Sequence, residues 1–579
     1  MPRRAPPIAA LVAASWPCWA VAASPVTRAG LPPAVSAGRG AAVPFDEMEA
    51  ENAATSGSPV GPDRRFTTVA AEASGRRAVR LDRPGQFVEF TLARAANAVT
   101  VRAAIPDTAD GRGRDARLTL STNGAPLGRL SLTSRYGWFY GRYPFTNRPE
   151  DGAPHHFFDE SRLLFGRVLP AGSRVRLTVG AGDRAPWYVI DVADFELAPP
   201  PSARPAGAVS VVGFGADPTG RRSSTAAFRR AIAAGRRRRA PVWIPPGTFR
   251  VERHLTVDRV RIQGAGPWHS VVRGRGVGFY GRPAPHPSRA VTLADVAIIG
   301  DVTERVDKAQ ANGIGGAMGD GSVLRNLWLQ HHKVGLWFDG PMRGIRVSGL
   351  RVLDCTADGL NFRRGVSDAI VENSFFRNTG DDGLAAWSHG DADHYLTFRR
   401  NTVIAPILAN GIAIYGGHDI EVSGNLIADT LTEGGGLHLG NRFAAVPASG
   451  SITFRDNLVA RGGSFDPRWR FGVGALWFYA LDAPIRADVR VLDNTLLDSS
   501  EEAVQFLDRS VSHVTLDRLL IDGARGAAVQ IQAPGSATLS NGTVRGVAGP
   551  GVLRCHPDFT LRVSATPGLG ADRTARCPR

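Results

Sequence analysis

The sequence contains very little cysteine and almost no lysine. Four cysteines occur in 579 residues, too few for a disulfide-built scaffold. Lys308 and Lys333 are the only lysines, so arginine supplies nearly all of the basic charge behind the formal net charge of +16. The arginines are scattered along the chain, which argues against a nucleic-acid-binding protein.

Long apolar runs are also missing beyond the amino terminus. No later stretch approaches the roughly 18 uninterrupted apolar residues of a membrane helix, so we expect no membrane association. The first residues place Arg3 and Arg4 before a short apolar run and the small residues Ala20-Val21-Ala22. This pattern predicts a signal peptide over 1–23 and a secreted protein, extracellular or periplasmic.

The positions of the cysteines are consistent with a secreted protein. Cys18 leaves with the signal, whereas Cys555 and Cys577 lie in a polar tail over 553–579 and can form a disulfide in an oxidising compartment. Cys355 is interpreted as a buried small apolar residue rather than a nucleophile, because no histidine lies near it in sequence.

Composition divides the mature chain into two β-rich domains. Residues 24–44 are rich in Ala, Pro and Gly and are interpreted as a linker. Residues 45–198 alternate apolar and polar side chains between turns, which predicts an antiparallel β-sandwich. A proline-rich linker over 199–208 follows, and a helix is expected from about Ser224 to Ala234.

The remaining region, 209–552, is repetitive. From Gly313 onward, Gly or Ala followed by an apolar residue recurs at intervals of 22, 24, 24, 28, 25, 38, 29 and 25. Such a period predicts a right-handed parallel β-helix, a pectate-lyase-like solenoid; a leucine-rich repeat is the fold alternative, but its leucine spacing is missing. A second series, of asparagines, recurs with the same period. These residues are expected to form a ladder of side-chain amides inside the solenoid: Asn373, Asn401, Asn425, Asn457, Asn494 and Asn541.

Three acids share this period. Asp358 and Asp382 are 24 residues apart, and each precedes a Gly-Leu pair, so we expect them in adjacent coils about 4.8 Å apart. Two carboxylates that close repel by about 3 kcal/mol at an effective dielectric of 20, which stability alone would not select. Asp381 adds a third acid, and the trio suits glycoside hydrolysis.

We interpret Asp381 as the general acid, with Asp358 and Asp382 activating water. This arrangement predicts inversion at the anomeric carbon and an acid-to-base separation of roughly 6.5 to 9.5 Å. Two alternatives stay open at this point. One is calcium-dependent lyase action on a uronate polymer, with Arg363 or Arg364 as the base; the other is a non-catalytic glycan-binding or adhesion protein.

Aromatic and polar side chains in the coils around the acids are candidates for sugar contacts. The predicted substrate-binding residues are Trp337, Trp387, Tyr415, His418 and Trp477.

The chain resembles glycoside hydrolase family 87, the bacterial α-1,3-glucanases and mycodextranases, in strings such as Asn326-Leu327-Trp328-Leu329-Gln330 and in the stretch 335–342. The family's pattern of one Asp followed 23 and 24 residues later by an Asp pair falls on Asp358, Asp381 and Asp382. The resemblance implies an endo-acting, inverting enzyme that cleaves α-1,3-glucan (mutan) or nigeran. It implies no cofactor in catalysis, and we expect a monomer.

The first domain resembles carbohydrate-binding modules through the stretches 138–147 and 155–160. By the same resemblance, Glu49, Glu51 and Asp194 are predicted to hold a structural calcium ion.

Overall fold

The computed structural model describes residues 24–143, 145–183, 185–466 and 470–577. The predicted signal over 1–23 lies outside these residues. Within the described ranges, no helix combines the length and the apolar character needed to cross a membrane.

The amino-terminal domain is an antiparallel sandwich of two sheets. Alternation along its strands follows the sequence: in Asp115–Thr122, Ala116, Leu118 and Leu120 point into the core between the sheets. The first sheet contains Phe45–Glu49, Ser58–Val60, Ala78–Leu81, Ala96–Ala104, Asp159–Leu169 and Tyr188–Glu196. The second contains Ala54–Thr55, Phe87–Thr91, Asp115–Thr122, Ala125–Thr133 and Arg174–Thr178. Short helices lie at Ala50–Asn52, Val69–Glu72, Ser74–Arg76 and Pro149–Asp151.

The second domain is a parallel β-helix, and one of its sheets carries the candidate site. This site sheet contains Leu255–Thr256, Phe279–Tyr280, Ile314–Gly316, Leu336–Asp339, Leu360–Arg363, Leu384–Trp387, Ile412–Tyr415, Leu437–Gly440, Leu476–Ala480, Val504–Asp508, Val529–Gln532, Val552–Arg554 and Asp572–Thr574. Three small two-stranded sheets pair Ser288–Arg289 with Met318–Gly319, Met342–Arg343 with Val366–Ser367, and Ser464–Asp466 with Phe471–Val473.

The other faces of the coils form one continuous, bent sheet. Its strands are Val209–Ser210, Thr219–Ser223, Val242–Ile244, Gly247–Arg250, Arg261–Gly264, Ser270–Arg273, Thr292–Ile299, Val323–Gln330, Arg346–Ser348, Arg351–Cys355, Ile370–Glu372, Phe375–Thr379, Thr397–Arg399, Thr402–Ile404, His418–Ser423, Leu426–Ala428, Ser449–Arg455, Leu458–Ala460, Asp488–Leu492, Thr495–Ser499, Val511–Asp517, Leu520–Ala524, Gly535–Ser540, Thr543–Val547 and Phe559–Ser564.

The repeated Gly-apolar pair of the sequence has a direct structural meaning. Leu336 pairs with Leu360, Leu360 with Leu384, and Leu384 with Ile412 in successive coils. All four side chains are fully buried in the β-helix core. The apolar residue of each repeat is therefore a core position, and the residues just before it lie at one edge of the site sheet.

The asparagine ladder forms over four of the six predicted positions. Asn401 donates to Asn425 (3.1 Å), Asn425 to Asn457 (2.9 Å) and Asn457 to Asn494 (2.9 Å) through their side-chain amides. Ser374 occupies the preceding rung, its backbone N–H donating to Asn401. The prediction for the two remaining residues was wrong, because Asn373 and Asn541 stand one residue before the buried rung and bond elsewhere.

The two ends of the solenoid differ from expectation. The helix covering its first coils runs from Thr225 to Arg238 after a short turn at Val211–Phe214, longer than predicted. At the other end, the expected polar tail adds the strands Phe559–Ser564 and Asp572–Thr574 to the sheets. Cys555 and Cys577 form the disulfide that the sequence allowed, and Cys355 is buried and free.

Residues 24–44 are packed against the β-helix instead of forming a free linker. Ala29 and Ala41 are buried, and the Ala41 backbone N–H donates to Thr402 Oγ1 at 2.9 Å. This segment contacts coils that are far away in sequence, and its small residues allow it to pack closely against them.

Buried ion pairs join the two domains. Arg377, on a β-helix strand, binds Glu160 (2.6 Å), Asp194 (2.7 Å) and Glu47 (3.3 Å) of the sandwich, and none of these side chains is more than 4% exposed. The sandwich is thus fixed on the β-helix, which fits a supporting domain better than a module on a flexible tether.

Candidate active site

Asp358 and Asp382 occupy equivalent positions in adjacent coils. Each stands two residues before a strand of the site sheet, and the Gly359 N–H donates to the Asp382 carbonyl at 3.0 Å. The 24-residue spacing in the sequence predicted this stacking. Asp381, the neighbour of Asp382, adds its carboxylate from the turn after the strand Phe375–Thr379.

The three carboxyl groups converge. One oxygen of each lies within 4.8 Å of one oxygen of the others. This is shorter than the separation of roughly 6.5 to 9.5 Å expected for an acid and a base on opposite sides of a bond. The coil spacing of about 4.8 Å explains the difference, since side chains stacked in neighbouring coils start that close together.

Asp382 is almost completely buried and held by three donors. The Asn410 backbone N–H (2.8 Å) and side-chain amide (2.9 Å) donate to Oδ1, and the Tyr415 hydroxyl donates to Oδ2 at 2.9 Å. Burial and the neighbouring charge of Asp381 raise the pKa of Asp382 to about 7, while these hydrogen bonds act in the opposite direction. Its carboxyl group is therefore fixed in place and titrates close to neutral pH.

Asp358 has fewer stabilising contacts. Among the described residues, the Asn361 side-chain amide donates to Asp358 Oδ2 at 3.3 Å. Burial and the charges of Asp381 and Asp382 raise the pKa of Asp358 well above its usual range. In the free protein, a proton is favoured on this carboxyl group.

Asp381 differs from both, because it has a cationic partner and is the most exposed of the three. Arg305 Nη2 lies 2.7 Å from Asp381 Oδ2, and the Asp381 side chain is 18% exposed. A partly accessible carboxylate beside two buried ones is arranged to meet a substrate that approaches from solvent.

Two predicted substrate-binding residues line the site sheet and are partly exposed. Trp337 and Trp387 are 6.4 Å apart, ring centre to ring centre, and perpendicular. Lys333 lies over Trp337, and Arg363 over Trp387. These indoles offer apolar faces on coils to either side of Asp358, as sugar binding requires.

The other three residues predicted to bind substrate interact with other side chains of the protein. Tyr415 is buried and serves Asp382 instead of offering an open ring. Trp477 is completely buried in a cluster with Val473 and Leu507, stacks on His438 at 3.9 Å and donates to Asn410 Oδ1 at 2.8 Å. His418 stacks on His394 at 4.8 Å and bonds Asp419.

Sequence reasoning missed Asn410 and Arg305. Asn410-Gly411 continues the series of Asp358-Gly359 and Asp382-Gly383 in the next coil, so the repeat itself carried the signal for Asn410. Arg305 lies in a non-repeating segment, where no periodicity marks it.

The predicted calcium ligands do not come together as a group. Asp194 binds Arg377, whereas Glu49 accepts hydrogen bonds from Thr27 and Ser74. Asp191 is the carboxylate whose charge acts on both Glu49 and Glu51. The set of Glu49, Glu51 and Asp194 therefore does not fit one cation, because Asp194 is already neutralised by an arginine.

Two family profiles match the chain. Residues 42–198 match the "Alpha-1,3-glucanase catalytic domain D1", and residues 221–442 match the "Alpha-1,3-glucanase catalytic domain D2". Together they span the sandwich and the coils that carry the three acids. A search of curated proteins gave no match.

Solved structures agree over nearly the whole chain. The catalytic unit of a thermostable GH87 α-1,3-glucanase from Streptomyces thermodiastaticus strain HF3-3 is 40% identical, with a TM-score of 0.84, covering 92% of this chain and 98% of that one. The Agl-KA catalytic domain is 27% identical, with a TM-score of 0.85 and coverage of 91% and 99%. A GH87 α-1,3-glucanase catalytic domain in complex with nigerose shares the fold at 22% identity, with a TM-score of 0.81 and coverage of 91% and 100%.

Proposed function

This chain belongs to glycoside hydrolase family 87, and on that premise we propose that it hydrolyses α-1,3-glucosidic bonds within α-glucan chains and inverts the anomeric carbon. The observation that carries the proposal is the convergence of Asp358, Asp381 and Asp382 within 4.8 Å. Two buried acids with raised pKa values beside a more exposed one provide both protonation states that glycoside hydrolysis needs at neutral pH.

In the proposed reaction, Asp381 gives its proton to the departing glycosidic oxygen. Water attacks the anomeric carbon as that bond breaks, and Asp358 or Asp382 takes the proton that the water loses. Because the three carboxyl groups are so close, they share protons as one unit. The proton favoured on Asp358 in the free protein is thus within reach of Asp381 when the sugar arrives.

Anomer analysis tests the stereochemistry. Inversion of an α-linkage releases the β-anomer first, and ¹H NMR of the earliest products detects it before mutarotation. First release of the α-anomer would instead show retention and would contradict the proposed stereochemistry.

Polymer choice and mode of attack need a separate assay. Trp337 and Trp387 lie together on the site sheet beside the acids, so the proposal places a sugar ring against these indoles. Incubation with α-1,3-glucan and with nigeran, followed by sizing of the oligosaccharides, distinguishes the two substrates. Longer oligosaccharides early in the time course indicate endo-action, whereas a single short product throughout would contradict it.

The lyase alternative loses support from the positions of its candidate bases. Arg363 and Arg364 bind Asp339 at 2.8 Å and 3.5 Å instead of contacting the acids. We therefore propose hydrolysis without a metal cofactor, so activity on neutral glucan persists with a chelator present. Loss of activity on chelation, restored by calcium, would overturn this part of the proposal.

We also propose that the protein is exported, which the pattern over 1–23 supports, and that it is a monomer. Recovery of the mature chain from culture medium, and its elution volume in size-exclusion chromatography, test these two points.

A further inference from the structure

Arg305 connects the catalytic acids to the rest of the protein. It lies between the strands Thr292–Ile299 and Ile314–Gly316, outside the coil repeat, and its side chain is only 9% exposed. Its guanidinium binds Asp381 Oδ2 through Nη2 at 2.7 Å and Asp307 Oδ1 through Nε at 2.8 Å. The remaining nitrogen, Nη1, is buried and has no hydrogen-bond partner among the described residues.

The sandwich fixes this arginine from the other side. The Tyr143 hydroxyl donates to Asp307 Oδ2 at 2.6 Å, and the Tyr143 ring lies 4.9 Å from the Arg305 guanidinium. Lys333 holds the same loop by donating to the Asp307 carbonyl at 2.7 Å. A continuous path therefore runs from the sandwich, through Tyr143, Asp307 and Arg305, to Asp381.

We infer that Arg305 is a positioning residue for Asp381, held in place by Tyr143, so that the sandwich completes the active site of the β-helix. The inference rests on the proposed function. The planar guanidinium holds Asp307 through Nε and Asp381 through Nη2, so the position of Asp307 fixes the direction from which the positive charge meets Asp381.

The charge of Arg305 also sets the protonation of the trio. Asp381 is surrounded by Arg305, Asp358 and Asp382, with Tyr143 and Tyr415 nearby; Arg305 is surrounded by Asp307, Asp381, Tyr143 and Lys333. Arg305 lowers the pKa of Asp358, against the effects of burial and of the other two acids. Removing this cation therefore raises the pKa of Asp358 further, so the pH profile of the reaction moves to higher pH.

The test compares purified variants on α-1,3-glucan over a range of pH. For Arg305→Gln we expect kcat to fall about 100-fold, since small misplacements of a catalytic group have effects of that size. KM should change much less, and the pH optimum should rise by about 1 unit. Arg305→Lys, which keeps the charge but not the paired donors, should restore the wild-type optimum and part of kcat.

Tyr143→Phe keeps the ring and removes one hydrogen bond, so kcat should fall about fivefold with the optimum unchanged. The control is Arg455→Gln, which removes an exposed arginine paired with Glu421 away from the site and should match wild type. The inference is overturned if wild-type protein degrades the glucan while Arg305→Gln keeps its kcat and pH optimum, or if Lys and Gln behave alike. An inactive wild type would instead refute the proposed function.

Discussion

At the scale of single residues, the site combines like charges that repel with contacts that hold them together. Asp358 and Asp382 are buried beside Asp381, and this arrangement opposes ionisation of the two buried acids. Asn410 and Tyr415 offset part of the repulsion at Asp382 by donating to its oxygens. The same contacts fix the carboxyl group for reaction, so the residues that stabilise the site also tune its pH dependence.

Tyr415→Phe tests this tuning. The tyrosine hydroxyl favours the ionised form of Asp382, so its removal raises the pKa of Asp382 above about 7. If Asp382 acts as a carboxylate, the acidic limb of kcat/KM moves to higher pH by about 1 unit. A pH–rate profile of the variant checks this shift; an unchanged acidic limb would show that Asp382 need not be ionised.

The sequence predicted the three acids because they follow the coil period. It did not predict Arg305, whose position depends on a loop without a repeat, or the burial of Trp477. The 38-residue interval before Trp477 showed that an insertion was present but not where the inserted chain packs. Periodic residues are thus predictable from spacing, whereas contacts between a loop and a distant coil depend on tertiary packing.

At the scale of secondary-structure elements, each coil is supported by the next. The ladder of Asn401, Asn425, Asn457 and Asn494 satisfies buried backbone groups at one bend of four successive coils. The position of the ladder was predictable from the second repeat. Its limits were not, because Asn373 and Asn541 differ from true rungs by a single residue.

Asn425→Ala tests the ladder. The change leaves the backbone N–H and the side-chain amide of Asn401 without their shared acceptor, which should lower the free energy of unfolding by about 3 kcal/mol. Urea denaturation measures the loss. Asn541→Gly is the control, since Asn541 is exposed with φ +53°, which glycine tolerates, and should lose less than about 1 kcal/mol. Equal losses would contradict a special role for the ladder.

At the scale of the whole molecule, the two domains act as one unit. Arg377 is surrounded by Glu47, Glu160 and Asp194 from the sandwich, all buried. Arg377→Met should destabilise the protein by about 3–5 kcal/mol, because the acids are left buried and unpaired. The exposed pair of Arg455 and Glu421 supplies a matched control, Arg455→Met, with an expected loss below about 1 kcal/mol in the same urea titration.

The domain interface also predicts how stability depends on pH. Asp159, Asp354 and His331 meet there; burial raises the pKa of Asp159 to about 7 and of Asp354 to about 8, and lowers that of His331 to about 4. A carboxyl group whose folded pKa exceeds its unfolded value near 4 contributes stability at low pH that is lost as pH rises through the folded pKa. A histidine with a lowered pKa contributes stability at high pH that is lost as pH falls below about 6.5.

We therefore expect Tm to fall between about pH 4 and pH 8, most steeply above about pH 6.5, where His331 no longer opposes the two acids. Asp159→Asn, which stays neutral and can still accept the hydrogen bond from His331 Nε2, should show a smaller fall. Differential scanning fluorimetry of both proteins measures the difference. An identical fall over this pH range in the two proteins would assign the loss of stability to other groups.

The central claim is that three convergent aspartates cleave α-1,3-glucan. Its most direct test is the rate of reducing-end release from α-1,3-glucan by wild type and by Asp358→Asn, Asp381→Asn and Asp382→Asn, each with its Tm measured beside it. We predict that wild type is active and that each variant folds but loses about 100-fold to 10,000-fold in kcat. A folded variant that stays within about tenfold of wild type would contradict a catalytic role for the aspartate it replaces.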